Sequence, residues 1–171
     1  DINEKKKTKI DTDSLSKLLG CPVIETISTS DKGLKDVITA VLDSIGTGRT
    51  DGVFQYESSG MRSVLTRLKP QSLEDLIAVI SLYRPGPMDS IPKFVKCKHN
   101  PDLVKFDHPL LEPILKSTYG CIVYQEQVMR IVQDLAGYTL GQADNVRRMM
   151  GKKKVAEMEK EEITFIHGKP E

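Results

Sequence analysis

Apolar residues recur at helical spacing through most of the chain. Leu34, Val37, Ile38, Val41, Leu42 and Ile45 form one such set, followed by Met61, Val64, Leu65 and Leu68, by Leu73, Leu76, Ile77 and Ile80, and by Val128, Ile131, Val132 and Leu135. Each set gives a predicted α-helix one buried face. Shorter helices are predicted over Ile91 to Lys98 and Leu110 to Leu115, another through Asn145 to Met150, and a charged one from Val155 to Phe165. Proline and glycine divide them. Pro70 ends the helix of Met61, Arg84-Pro85-Gly86-Pro87 stops the next, and Gly137 interrupts the long one, because proline cannot donate to the ladder and restricts the residue before it. Ser72, with Asp75 three residues on, has the form of a capping box.

Residues 1–45 read differently, as helix, strand, helix. Asp13 can cap a short helix with Leu15, Leu18 and Leu19 inward and Gly20 as its stop. Val23 to Ile27 then reads as a strand. A lone strand leaves its backbone groups unpaired, so this segment looks like an incomplete remnant of an α/β domain. The Gly-rich turn Gly46 to Gly52 is the clearest break and divides the chain into residues 1–45 and 46–171. Beyond it only Val53 to Tyr56 and Cys121 to Val123 could form short extended pieces. The fold class is mainly α: a helical domain preceded by a helix-strand-helix remnant. With no initiating Met and a basic run at Lys5-Lys6-Lys7, the sequence is read as a fragment.

Composition narrows the function classes. The 171 residues carry a net charge of +1, so a nucleic-acid role must rest on local clustering. Cys21, Cys97 and Cys121 are widely spaced, with neither a C-x-x-C nor a paired His, which argues against a disulfide framework or a structural zinc site. A reducing, cytoplasmic setting is expected. No apolar run approaches the length of a membrane span.

The strongest candidate chemistry is Arg147-Arg148 followed by Lys152-Lys153-Lys154. Guanidinium forks grip phosphate oxygens, and adjacent lysines add field without geometric demand. The same residues also suit a solvated basic helix end facing the negative pole of the helix dipole. Tyr119, Tyr124 and Tyr138 lie close by in sequence and offer aromatic faces for a base or sugar, or equally serve as core tyrosines with a satisfied hydroxyl. Arg84, in its rigid turn, is either a directed cation or part of a helix stop. The loop Glu57 to Met61 could receive an anion, although ordinary capping by Ser58 or Ser59 is the simpler role. His99, His108 and His167 are isolated, no nucleophile elbow or P-loop occurs, and acidic residues fall among Lys and Arg as helix-surface pairs. No catalytic residue and no metal ligand is assigned.

From Gly46 onward the blocks FQYESSGM, ISLYRPGPM, HPLLEPILKSTYG, VYQEQVM, LAGYTLGQAD and RRMMGKKK follow one another. In order and separation they resemble the fingers region of the C-family bacterial replicative polymerases, the DNA polymerase III alpha subunits. The resemblance implies a helical domain that folds over the nascent base pair and presents basic side chains to the incoming dNTP. It places Arg147 and Arg148 at the triphosphate and Arg84, Tyr124 and Lys152, with Lys153 and Lys154 beside it, near the nucleotide or DNA. It implies primer-template DNA, dNTP, the remainder of the polymerase and the replisome subunits as partners, and no membrane. In that family Mg²⁺ is held by aspartates in a P-D-x-D-x-D block and a D-F-L-G-L block, and neither occurs here. The chain is therefore expected not to polymerise alone and to need no cofactor of its own.

The stretch KIDTDSLSKLLGCPVIETISTSDKGLKDVI looks instead like the last helix-strand-helix of the GTPase domain of a ferrous-iron transporter, with Ser28-Thr29-Ser30 at the guanine loop. It has no P-loop and no N-K-x-D, so guanine-nucleotide binding is not expected, and a junction is placed near Ile45 to Gly48. Two other readings stay open: a non-catalytic nucleic-acid- or partner-binding helical module, and a GTPase remnant.

Overall fold

The computed structural model describes residues 5–6, 9–27 and 29–168. In chain order the α-helices are α1 (Thr12–Leu19), α2 (Leu34–Gly46), α3 (Ser59–Leu68), α4 (Leu73–Leu82), α5 (Ile91–His99), α6 (Glu112–Leu115), α7 (Gln125–Ala136), α8 (Leu140–Gly151) and α9 (Val155–His167), with short 3₁₀ turns around α5 and α6. The mainly helical class read from the periodicity is the class observed. The chain divides into two compact units, residues 1–75 and 76–171, and the division falls inside α4.

In the first unit α2 packs on α3. Leu42 and Ile45 of α2 and Met61, Val64, Leu65 and Leu68 of α3 are buried. The face predicted for α3 is thus the one that leaves water, each full burial of a leucine contributing roughly 1.5–3 kcal/mol, whereas on α2 only the C-terminal end of the predicted face is covered and Leu34, Ile38 and Val41 stay exposed. Ser58 caps α3 by accepting the Met61 N–H at 3.2 Å, the plain structural role for that loop. At the start of α4 the Asp75 N–H reaches Ser72 Oγ, while the Asp75 carboxylate accepts the Gln71 N–H at 2.9 Å, one residue earlier than a capping box would have it.

Two readings of the first segment are corrected. The cap of α1 is Asp11, which accepts both the N–H and the hydroxyl of Ser14, and not Asp13. Leu18 and Leu19 do not turn inward but stand 83 % and 65 % exposed. Val23 to Ile27 forms no ladder, and there is no strand among the described residues. Without a second strand its backbone turns to other partners, the Val23 N–H to Ser16 Oγ at 2.8 Å and the Ile27 N–H to the Lys32 carbonyl, and it stays a connecting segment. Ser28 lies outside the described residues, so the Ser28-Thr29-Ser30 loop is only partly described. Val53 to Tyr56 is likewise a turn and not an extended piece. Thr50, fully buried, donates its hydroxyl to the Tyr56 carbonyl at 2.7 Å, and Glu57 accepts the Gly52 N–H.

The second unit is built on α7 and α8, with α9 laid against them. Val132, Tyr138, Ala143 and Val146 form its core with Val128, Met129 and Phe165 around them. Gly137 closes α7 at φ +66°, which is why the helix stops where the sequence places its interruption. Thr139 and Gln142 then form a reciprocal capping box that starts α8. Upstream, Phe94 of α5 meets Tyr119 edge to face at 5.1 Å.

Between α6 and α7 the chain runs without regular structure through Cys121 to Tyr124 and is held by side chains. Gln127 Oε1 accepts the N–H of Val123 at 2.8 Å and of Tyr124 at 2.9 Å, while its Nε2 donates to the Ile114 carbonyl and to Thr118 Oγ1. The Thr118 hydroxyl donates in turn to the Cys121 carbonyl at 2.6 Å. Both side chains are buried. Gln127→Ala is expected to destabilise the chain by about 3 kcal/mol, since it removes the partner of two backbone N–H groups and a carbonyl in a half-buried segment. Urea unfolding of the two proteins measures this, and a difference under 1 kcal/mol would show that the strap finds other partners.

Tyr138 donates its hydroxyl to Glu161 of α9 at 2.7 Å. Burial first, and then the bond to that carboxylate, push its pKa up to about 12. The folded chain thus keeps a proton that the unfolded chain loses near pH 10. The resulting stabilisation is fully present below about pH 10 and disappears as pH rises toward 12. Tyr138→Phe should flatten that part of the stability profile. Unfolding curves of both proteins between pH 9 and 11.5 compare the slopes, and parallel slopes would refute the assignment.

Candidate nucleotide-facing site

Three stretches of the second unit meet around a cleft of about 720 Å³. One wall is the turn Arg84-Pro85-Gly86-Pro87 that follows α4. A second is the strap from Ile122 to Tyr124 with the first residues of α7, Gln125 and Glu126. The third is the end of α8 and the turn after it, with Arg147, Met150, Gly151 and Lys153. Helix breakers position the first wall: α4 ends at Leu82, and Gly86 takes φ +113°, a conformation that suits glycine. The Gln127 hub positions the second. The third follows from α8 closing at Lys152 and Lys153 adopting φ +51°.

Of the residues singled out from sequence, Arg84, Tyr124, Arg147 and Lys153 line this cleft. Arg148, Lys152 and Lys154 do not; all three are exposed. Lys154 pairs with Glu157 at 2.6 Å across the start of α9. The other two tyrosines have core roles: Tyr119 packs on Phe94, and Tyr138 packs on Phe165 and bonds Glu161. His108 serves as a cap, its ring Nδ1 accepting the Leu110 N–H.

The arginine pair is less solvated than its sequence context suggests. Arg147 Nε donates to Asp144 Oδ1 at 2.8 Å, with Nη2 in ion-pair contact with the same oxygen at 2.7 Å, and its Nη1 donates to Gln125 Oε1 at 2.8 Å, tying α8 to the start of α7. Arg148 Nε forms an ion pair with Asp144 Oδ2 at 2.7 Å. The Arg147 side chain is 28 % exposed and that of Arg148 is 63 % exposed. Only Arg148 therefore fits a solvent-facing assignment. The hydrogen bond from Arg147, with the charges of both arginines, holds the Asp144 carboxyl below its ordinary pKa.

Asp144 and Gln125 are the residues that the sequence reading missed. Their signal was present: an acidic residue three and four positions before two arginines is the spacing at which helical side chains meet. It was grouped with the other helix-surface pairs. The cleft carries Arg84, Arg147 and Lys153 against the single carboxylate of Glu126, beside the apolar surfaces of Ile122, Val128 and Met150. Such a site can take a polyanion joined to a less polar body. A second groove, between α7, α8 and α9, is lined by Val132, Tyr138, Val146, Met158 and Phe165 and holds none of the predicted cations. Among the described residues no group of His, Cys, Asp and Glu could hold a metal ion, and no helix is long and apolar enough to cross a membrane.

Sequence comparison places this arrangement in a family. The sequence model for the bacterial DNA polymerase III alpha subunit finger domain matches residues 2–171. That match takes in residues 2–45, the segment that by itself looks like a GTPase remnant, so no boundary of the match falls near the expected junction at Ile45 to Gly48. The chain is 51 % identical over 145 residues to the DNA polymerase III subunit alpha of Staphylococcus epidermidis, covering 85 % of this chain and 13 % of that protein. It is 58 % identical over 121 residues to that of Rickettsia bellii, covering 71 % and 10 %. It is 52 % identical over 128 residues to that of Staphylococcus aureus strain Mu50, covering 75 % and 12 %. It thus spans between 10 % and 13 % of the length of these curated relatives. A helical unit that opens a basic cleft, matched along nearly its whole length, belongs to the finger-domain family of the bacterial DNA polymerase III alpha subunits.

Proposed function

We propose that this chain is the part of a replicative DNA polymerase that contacts the incoming dNTP and the primer-template. Arg147 and Arg148 take the triphosphate. Arg84, Tyr124 and Lys153 lie beside the nucleotide, and Lys152 and Lys154 face DNA phosphates from the exposed turn. The observation that carries this reading is the convergence of Arg84, Tyr124, Arg147 and Lys153, from three separate stretches of sequence, on one cleft. Guanidinium and ammonium groups stabilise the charge of a transferring phosphoryl group by position alone, which is the contribution that a fingers domain can make.

The metal chemistry belongs elsewhere in this scheme. Two Mg²⁺ ions would activate the primer 3′-hydroxyl and stabilise the leaving pyrophosphate. The described residues supply no carboxylate cluster for them. The metals are assigned to the remainder of the polymerase, and the chain is not expected to polymerise alone. The partners are primer-template DNA, dNTP and the other replisome subunits, in the cytoplasm and without a membrane.

The test is a fluorescence titration of labelled primer-template with this chain at low and moderate salt, with and without dNTP and Mg²⁺. Arg148→Ala and Lys153→Ala are the informative variants, because Arg147 also ties α8 to α7 and its loss perturbs more than the surface. Binding should weaken steeply with salt, and each cation removed should lower the logarithmic salt slope by about one. Salt-dependent binding that neither variant alters would remove these residues from the interface. Binding that is indifferent to dNTP would favour a non-catalytic nucleic-acid module. Stabilisation by GDP, which is not expected, would mark a GTPase remnant. In primer extension by the complete polymerase, Arg148→Ala should raise the dNTP KM about tenfold, the loss of a charge-assisted hydrogen bond to phosphate.

A further inference from the structure

Arg147 and Arg148 are neighbours on one helix, where successive side chains leave the axis about 100° apart. Adjacent helical residues do not face a common point. Left to themselves, the two guanidinium groups would diverge and repel, and a single triphosphate could engage only one of them well. The structure contains the device that draws them together. Asp144 lies one turn earlier, at three and four residues from the two arginines, and offers one carboxylate oxygen to each: Oδ1 to Nε and Nη2 of Arg147, Oδ2 to Nε of Arg148, all between 2.7 and 2.8 Å. Gln125 fixes Arg147 from the other side through Nη1.

We infer that Asp144 is a positioning residue that couples two adjacent arginines into one anion clamp, Arg147 lining the cleft and Arg148 standing outside its lining. The inference rests on the assignment of the arginine pair to the triphosphate and adds the group that makes the pair act together. The bonds leave the arginines able to bind. Arg148 is engaged through Nε, which leaves its two Nη groups outside the pair, and Arg147 keeps a second N–H on each Nη. Asp144 also sets the charge. Two cations and one carboxylate leave a net +1 at the clamp, less than the bare pair would hold, so tight positioning comes with moderated attraction for any passing polyanion. A carboxylate is required, because both of its oxygens accept; an amide would keep one acceptor and turn a donor toward the second guanidinium.

The experiment is steady-state primer extension by the complete polymerase that carries this segment, comparing wild type, Asp144→Ala, Asp144→Asn, Arg148→Ala and the Asp144→Ala/Arg148→Ala double variant, with primer-template affinity measured for each. Asp144→Ala should raise the dNTP KM about tenfold, with kcat and primer-template affinity moved much less, the size expected when one charge-assisted phosphate contact is lost. Asp144→Asn should fall between alanine and wild type. The double variant should raise KM by less than the product of the two single effects, because Asp144 acts in part through the Arg148 guanidinium. If Asp144→Ala multiplies KM equally in both backgrounds, its role is a general structural one and the inference fails. If Arg148→Ala raises KM and neither Asp144 variant does, the clamp assembles without Asp144 and the inference fails while the triphosphate assignment stands. If Arg148→Ala leaves KM unchanged, the triphosphate assignment itself falls. Should Asp144→Ala not yield folded polymerase, Asp144→Asn alone and with Arg148→Ala reads the same outcomes.

Discussion

Gln127 is the fixed point from which the cleft is built. The segment between α6 and α7 has no ladder partner, yet its backbone is partly buried, so its polar groups must be satisfied by side chains. One amide side chain meets that demand in both senses, accepting from Val123 and Tyr124 while donating to Ile114 and Thr118. The consequence reaches further than local stability. Val123 and Tyr124, the residues so anchored, line the cleft, and Gln125, next in the chain, receives Arg147 from α8. Buried polar networks of this type specify one arrangement because a partly satisfied alternative is costly. A cleft needing its cations held to within a fraction of an ångström is well served by such an anchor.

Electrostatics and packing divide the second unit between two faces of α7 and α8. One face is apolar and closed by α9, where Tyr138 spends its hydroxyl on Glu161 and its ring on Phe165. The other face carries the cations. A chain with a net charge of +1 can still present a positive cleft because its carboxylates, Glu126 apart, sit outside the lining, on α9 and among helix-surface pairs, or between the arginines as Asp144 does. Whole-molecule charge would have hidden the site; its geometry reveals it.

How far this was legible in the sequence depends on the range of the interaction responsible. Helix existence is a matter of periodicity within a few turns, so the buried faces of α3 and α7 and the stop at Gly137 could be read directly. The strand at Val23 to Ile27 could not be judged that way, because strand identity depends on a partner elsewhere in the chain, and the apolar, β-branched composition alone was misleading. The leucines of α1 failed for a similar reason: a helical stripe predicts a face, not that anything covers it. At the site, residue types pointed to phosphate chemistry, and Arg147 and Lys153 do reach the cleft. Gln127 could not be read this way because a polar residue in a helix usually faces water, and the spacing of Asp144 marks it as a helix-surface pair without showing that two arginines share it.

The turn between α8 and α9 shows why lysines that look alike in a run of three differ in role. Lys153 adopts φ +51°, a left-handed conformation that costs a residue with a Cβ roughly 1–2 kcal/mol. Glycine would occupy that position without strain, and a glycine stands two residues earlier, in the helix, where its conformational freedom is not used. The strained position is therefore filled by a cation in preference to the residue best suited to the backbone. Of the three lysines it is Lys153 that lines the cleft, while Lys154 is drawn off to Glu157 and Lys152 closes α8. The left-handed turn at Lys153, a conformation that Gln55, Lys69 and Tyr119 also adopt, brings one of the three lysines to the cleft, where its charge stands with those of Arg84 and Arg147.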